Sequence, residues 1–458
     1  MQPDEATTRR AALIAQLERD GILRDASVRA TMLVVPRHTF LPDVSLDRAY
    51  ANDAVATKFA GDVSISSASQ PAMVAEMLEQ LALAPGMQVL EIGAGTGYNA
   101  ALLRTLVGPT GHVTTVDIDA DITDAARAHL ASVGITDIDI ITGDGAAGYA
   151  PNAPYDRIIL TVNAGDIAPA WFAQLKPGGV LVLPLSVGPA QFSIAFAKAD
   201  GVLRSRSLQP CSFMPLRGRM GDGAAGSRTN RVAPGLRLMM TNGAAHDADQ
   251  IAALLEKPPV SRAIAGVQHG WFSALAFALA DTRQPRVFAF VSSDDARYGF
   301  VGHGYGIFDL AAGGGTIIRL ADTMDGTADM MTLIYGDLQT GDWLDRVFAH
   351  WETHGAPSAQ DYNVTAMPAD VPVSASAGDF VVRIPHWQLV FRVGNPNPRP
   401  LPSQEGVTHS ILSGVPRTPE FPEGLLLLPF REGGRGVRFS YKSTSRGWMR
   451  SFSTVTIC

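Results

Sequence analysis

The segment Glu91-Ile-Gly-Ala-Gly-Thr-Gly97 constrains this chain more than any other. It follows a short apolar run and precedes a stretch with helical spacing. Three glycines at alternate positions let the backbone leave a strand, turn tightly and start a helix while a ligand packs against the main chain. Downstream the pattern repeats. Strands are predicted over 89–92, 113–117, 138–141, 155–160 and 180–183, and helices over 98–106, 122–133 and 168–175. Strands separated by helices of that length form βαβ units, so the fold class is α/β, a Rossmann-like, doubly wound, mainly parallel sheet. Lys176-Pro-Gly-Gly179 reads as a turn, and 192–197 and 203–208 as antiparallel edge strands.

Upstream, helices are predicted over 5–20 and 25–34, a turn-rich stretch up to Ala68, and a helix over 70–83 with Ser69 as its cap and Pro71 in its first turn. At 458 residues the chain exceeds the size of one core. The expected organisation is a catalytic domain over 1–218, a linker over 219–230, a smaller α+β accessory domain over 231–394 and a Pro-rich, poorly ordered tail over 395–458. In the accessory domain, strands are predicted over 286–292, 316–320 and 331–335, and an amphipathic helix over 342–354. Its tryptophans Trp343, Trp351 and Trp387 are expected in core packing.

The glycine spacing carries chemistry as well. A pyrophosphate-binding turn has Gly-x-Gly-x-x-Gly, whereas here the spacing is Gly93-x-Gly95-x-Gly97 with Glu91 ahead of it. An acidic residue there suits a ligand with an ammonium and a sulfonium, so S-adenosylmethionine is the expected cofactor and S-adenosylhomocysteine its product. Asp117 ends the next strand, where a carboxylate can accept from both ribose hydroxyls. Asp144, in Gly143-Asp-Gly145, is placed to accept from the adenine amino group, with Gly145 leaving space for the ring.

Composition removes other classes. A net charge of -7 supplies no electrostatic reason to bind nucleic acid. No apolar run nears the roughly 20 residues a bilayer needs, and the N-terminus lacks an export pattern, so a cytoplasmic protein without membrane contact is expected. Two distant cysteines, Cys211 and Cys458, make neither a disulfide framework nor a metal cluster, and no metal is expected.

Val35-Pro-Arg37 with Phe40-Leu-Pro42, Ser69-Gln-Pro71 with Met73, the glycine segment, Gly143-Asp-Gly145 with Gly148-Tyr149, Pro154-Tyr-Asp156, and Leu175-Lys-Pro-Gly-Gly179 leading to Leu183-Pro184 form one set over about 13–218. On these motifs the chain resembles the protein-L-isoaspartate O-methyltransferase family. The resemblance implies that Ser69 is the active-site serine near the transferred methyl group, with Ser67, Gln70 and Asn163 as substrate-binding residues. Arg37 and His38 fall in the same stretch and have a structural reading at least as good as a catalytic one. Three departures bear on the acceptor: Ser67-Ala-Ser69 replaces the family's usual Thr-Ile-Ser, Val162-Asn-Ala-Gly-Asp166 replaces a run of small residues, and Arg217 stands where a Thr is common.

The implied reaction is methylation of an isoaspartyl or aspartyl carboxylate in a protein or peptide, leading to a succinimide. Such a carboxylate, with an ordinary pKa of roughly 3.9, is already the nucleophile at neutral pH, so positioning dominates. General repair and service to one dedicated ribosomal peptide are both expected readings, because family relatives with C-terminal extensions serve peptide-modifying pathways whereas repair enzymes are usually one domain. A catalytically dead methyltransferase fold that only binds is the reading from another class. The intact Gly93, Gly95, Gly97, Asp117 and Asp144 argue against it.

Overall fold

The computed structural model describes residues 4–394 apart from 62, 222–227, 241–244, 268–270, 281–285, 323–327 and 377. The expected tail over 395–458 and the middle of the expected linker lie outside the described residues. Three helices open the chain: α1 (Glu5–Arg19), α2 (Ala26–Val34) and the single turn α3 (Leu46–Ala49). Asp4 and Asp25 cap the first two, each side chain accepting backbone N–H groups of the first turn. The stretch expected to be turn-rich is a β-hairpin, β1 (Val55–Ala60) and β2 (Val63–Ala68), which delivers the chain to α4 (Pro71–Leu81).

The alternating pattern then folds as its spacing predicts: β3 (Gln88–Ile92), α5 (Tyr98–Val107), β4 (His112–Asp117), α6 (Ala120–Ser132), β5 (Asp139–Thr142), β6 (Tyr155–Leu160), α7 (Pro169–Gln174) and β7 (Leu175–Val187). These five strands are parallel in the order β7-β6-β3-β4-β5, so the chain reverses direction of growth after β5. Helices cover both faces, α4 and α5 on one and α7 on the other. Lys176 to Gly179, expected as a turn, is an irregular start of β7 with a register shift against β6.

Two antiparallel strands, β8 (Ala190–Ala199) and β9 (Val202–Cys211), continue the sheet, but β9 is not its edge. The chain leaves to build β10 (Arg228–Ala233), β11 (Leu236–Met240), α8 (Ala245–Leu255), β12 (Val260–Val267), α9 (Trp271–Ala280), β13 (Val287–Ser293), β14 (Gly302–Asp309), β15 (Gly314–Asp322), β16 (Ala328–Gly336) and α10 (Gln339–Thr353). It then returns as β17 (Tyr362–Pro368), β18 (Phe380–Arg383) and β19 (Trp387–Val393). Thr365 pairs with Arg204, completing a ten-strand sheet β18-β19-β17-β9-β8-β7-β6-β3-β4-β5. The expected boundary after Gly218 therefore marks an excursion. Residues 362–393, expected in the accessory domain, belong to the first sheet.

The excursion is an antiparallel seven-strand sheet, β10-β11-β13-β14-β15-β16-β12. Ile251 and Leu254 of α8 pack on one face with Leu238 and Phe308, and Leu275, Phe348 and Trp351 of α9 and α10 pack on the other with Phe288 and Ile318. Helix α9 is apolar on every side, and its far side enters the first core. The Phe277 ring lies 4.5 Å from Phe391, 4.8 Å from Tyr362 and 5.2 Å from Phe192, centroid to centroid. A helix with no polar face is one buried between two layers. Trp343, Trp351 and Trp387 fill core positions. No helix among the described residues is long and apolar enough to cross a membrane.

Candidate active site

The carboxyl ends of β3, β4, β5 and β6 meet where strand order reverses, the place where open α/β sheets bind ligands. Gly93 and Gly95 are held at φ 102° and 51°. A Cβ on Gly93 would lie 2.3 Å from Thr161 Oγ1, so this residue lets the loop press against the end of β6. A Cβ on Gly95 would meet nothing nearer than the Ser67 carbonyl oxygen at 3.8 Å. Gly95 thus opens the loop toward the end of β2, directly below the segment that carries Ser69. Gly97 stands before the first residue of α5.

Glu91, expected beside the ligand's ammonium, is instead fully buried in the layer behind the loop. Oε1 accepts from Asn99 Nδ2 at 2.8 Å and Oε2 from Thr115 Oγ1 at 2.6 Å. Burial pushes its carboxyl up to about 7, against the pull of those two donors. Its role here is to tie β3 to α5 and β4 beneath the loop. Neither Asn99 nor Thr115 stands out in the sequence, since each is a polar residue on an otherwise apolar stretch.

Asp117 is half-buried, and its Oδ2 accepts the Gly95 N–H at 3.1 Å. Burial raises its pKa, partly opposed by the backbone N–H groups of Gly95 and Asp119. The carboxylate therefore fixes the loop while keeping lone pairs for a ligand. Asp144 caps the single turn Gly145–Ala147, accepting from Ala146 N at 3.0 Å. It also accepts from the N–H of Arg219 at 2.9 Å and from Nε of the same residue at 3.1 Å. Gly145 does not keep space for a ring: a Cβ there would lie 2.4 Å from Ile92 Cγ2, and its carbonyl accepts from Trp171 Nε1 at 2.8 Å. The missing side chain serves packing.

Ser69 precedes α4 without capping it, because the cap position falls on Gln70, whose side chain makes no cap bond either. The cap comes from Asn52, whose Oδ1 accepts the Ala72 N–H at 3.0 Å. Gln70 Nε2 donates to the Asn52 carbonyl at 3.0 Å, so Gln70 holds this turn together. Arg37 is buried and donates from Nε to the Ala49 carbonyl at 3.0 Å and from Nη2 to the Ala68 carbonyl at 3.4 Å, next to Ser69. Its guanidinium lies 5.3 Å from the centre of the Tyr98 ring. Sequence reasoning missed Asn52 and left Arg37 unassigned; local spacing cannot reveal partners so far apart along the chain.

Asn163 is buried, and its Nδ2 donates to Ser186 Oγ at 2.7 Å. Its backbone pairs with Met214 and Leu216, both at 2.7 Å, which brings the segment after β9 across the cleft. Ser67, half-buried in β2, contributes its carbonyl above Gly95. The structure therefore brings the Ser67 carbonyl to the glycine loop and turns the side chains of Gln70 and Asn163 to neighbouring protein groups. Among the described residues no group of three or more His, Cys, Asp or Glu is arranged to hold a metal ion.

The family model for protein-L-isoaspartate(D-aspartate) O-methyltransferase matches residues 8–221. Protein-L-isoaspartate O-methyltransferase of Hyperthermus butylicus is 39% identical over 221 residues, covering 46% of this chain and 90% of that protein. That of Methanopyrus kandleri is 40% identical over 225 residues, covering 48% of this chain and 97% of its own. A solved protein-L-isoaspartate O-methyltransferase aligns with 78% of this chain and 96% of its own at a TM-score of 0.46 and 24% identity. The curated relatives match across nearly their whole length and leave the second half of this chain unmatched. Residues 8–221, with the glycine loop at their centre, make this chain a member of the protein-L-isoaspartate(D-aspartate) O-methyltransferase family of S-adenosylmethionine-dependent methyltransferases.

Proposed function

We propose that the chain methylates an isoaspartyl or aspartyl carboxylate of a protein or peptide, with Ser69 on the acceptor side and Gly93, Gly95, Gly97, Asp117 and Asp144 on the cofactor side. One observation carries the reading: the Ser67 carbonyl lies 3.8 Å from where a Gly95 Cβ would stand, so the acceptor segment and the cofactor loop face each other across one residue's width. S-adenosylmethionine, when bound, supplies a methyl group on a sulfonium for in-line displacement. The residues fit that group, since the loop leaves a cradle a side chain would fill, and Asp117 and Asp144 offer acceptors at successive strand ends. The acceptor carboxylate is already anionic at neutral pH, so the chain's task is orientation in a water-poor site. Ser69, free of capping duty, donates its hydroxyl to that carboxylate or to the adjoining peptide. Arg37 and Asn52 hold the turns on either side of it.

The extra half of the chain favours a dedicated peptide substrate over general repair. It is built into the catalytic sheet through β17, β18 and β19 rather than appended to it. Mass spectrometry of isoaspartyl and aspartyl test peptides incubated with S-adenosylmethionine separates the readings. Methylation of unrelated isoaspartyl peptides supports repair, while methylation confined to aspartate in one co-encoded peptide supports the dedicated role. A chain that binds S-adenosylhomocysteine in calorimetry but methylates neither would be a binding protein on this fold.

A further inference from the structure

Asp119 stands at the N-cap of α6, where an aspartate ordinarily accepts from the first turn, yet its side chain makes no cap bond. Its oxygens turn outward onto two cations. Oδ2 accepts from Lys58 Nζ at 2.7 Å and from Arg217 Nη2 at 2.8 Å, and Oδ1 from Arg217 Nη1 at 3.2 Å. Lys58 also reaches Asp121 at 2.7 Å. The Arg217 guanidinium and, after it, the Lys58 ammonium hold the Asp119 carboxyl below the usual carboxylate range. A residue that forgoes a local stabilising role where its position offers one marks a site with another task.

The three partners come from three separate segments of the chain. Lys58 lies on β1, in the hairpin whose second strand ends at Ala68, one residue before Ser69. Arg217 lies on the segment leaving β9, which is tied to the end of β6 through Asn163 and to Asp144 through Arg219. Asp119 follows Asp117 by two residues, and its N–H donates to Asp117 Oδ1 at 3.4 Å. The cleft floor is the glycine loop under the Ser67 carbonyl. Through Asp117, which accepts the Gly95 N–H, the ion pairs that join hairpin and crossing segment on Asp119 stand beside that loop.

We infer that Lys58, Asp119 and Arg217 form an ionic clasp that closes the cleft over the bound methyl donor and sets the rate at which the demethylated product leaves. The inference rests on the reading of the Gly93-to-Gly97 loop as the cofactor site. These are positioning residues, acting through the two segments they hold together. Ion pairs that are only partly buried, as these are, stay screened by salt, which suits a closure that opens once per turnover.

Stopped-flow displacement of S-adenosylhomocysteine from the full chain tests it. In Asp119→Asn the dissociation rate is expected to rise about tenfold, with a smaller rise in Lys58→Met and Arg217→Thr. Association accelerates too, so Kd changes less than the off-rate does. Added NaCl speeds release from the wild type and leaves Asp119→Asn nearly indifferent. A dissociation rate within about twofold of wild type in folded Asp119→Asn would overturn the clasp. Should that variant melt early, Lys58→Met and Arg217→Thr leave α6 untouched, and unchanged release from both overturns it equally. Absence of S-adenosylhomocysteine binding to the wild type would instead overturn the cofactor reading on which the clasp stands.

Discussion

Asn52 caps the helix that follows Ser69, its Oδ1 accepting the Ala72 N–H at 3.0 Å from twenty residues upstream. A serine just before a proline-led helix would normally do this work itself, and its release leaves the hydroxyl available to an acceptor. Asn52→Ala is expected to cost about 1 kcal/mol in denaturant unfolding, the usual worth of a cap, and to lower kcat/KM as the turn loosens. Ser69→Ala should leave stability within about 0.5 kcal/mol and lower kcat/KM by about 10- to 100-fold, the worth of a hydrogen bond to a charged group. A Ser69→Ala chain that loses stability but keeps its turnover would return the serine to a structural role.

Gly145 and Ile92 make a second paired test. Gly145→Ala places a methyl 2.4 Å from Ile92 Cγ2 and is expected to destabilise the fold by about 1–3 kcal/mol. Ile92→Leu removes the Cγ2 branch that the new methyl would meet, and in the double variant thermal melting should recover part of that loss. If Gly145→Ala melts like the wild type and only weakens cofactor binding, the glycine leaves room for ligand after all.

The buried Glu91 makes stability depend on pH. With its carboxyl at about 7 in the fold, against an ordinary 4.5, the protonated form is favoured on folding. Below 4.5 it is protonated in both states and costs nothing. As pH rises toward 7 the unfolded chain ionises first, and above 7 the penalty is complete, on the order of 3 kcal/mol. Glu91→Gln, which keeps the shape, should therefore flatten the stability profile across that window. Urea melts of both proteins at intervals of pH decide it; parallel profiles would show that Glu91 titrates alike in the folded and unfolded chain.

Phe277 joins two cores, so the two sheets are expected to unfold together. Phe277→Ala should cost about 3–5 kcal/mol and lower the stability of both sheets in one calorimetric transition. Two separate transitions in the wild type would mean that α9 is a loose contact.

Much of the first half was legible in the sequence because its signals are local. The glycine loop, the strand-helix alternation and the acids at strand ends are set by neighbours within a few residues, and β3 to β7 fall where spacing predicts them. What was not legible is what distant residues do for one another. No strand is predicted over 362–393, and a local pattern would not say which sheet such strands join. Asn52 is an ordinary loop asparagine until α4 is brought to it. Glu91 and Gly145 are prominent residues whose partners, Thr115 with Asn99 and Ile92, give them packing roles a ligand-centred reading passes over.

The pairing of Ala366 with Leu203 has a consequence for how the molecule comes into being. The last strands of the catalytic sheet are among the last parts of the described chain to leave the ribosome. Until they arrive, β9 is an open edge and the apolar faces later covered by α9 and β19 stay wet. Closure must bring together residues on opposite sides of a long excursion, a non-local step that slows folding and prolongs exposure to aggregation. This chain has to wait for its far end before that sheet is complete, and its yield in the cell should depend on chaperones.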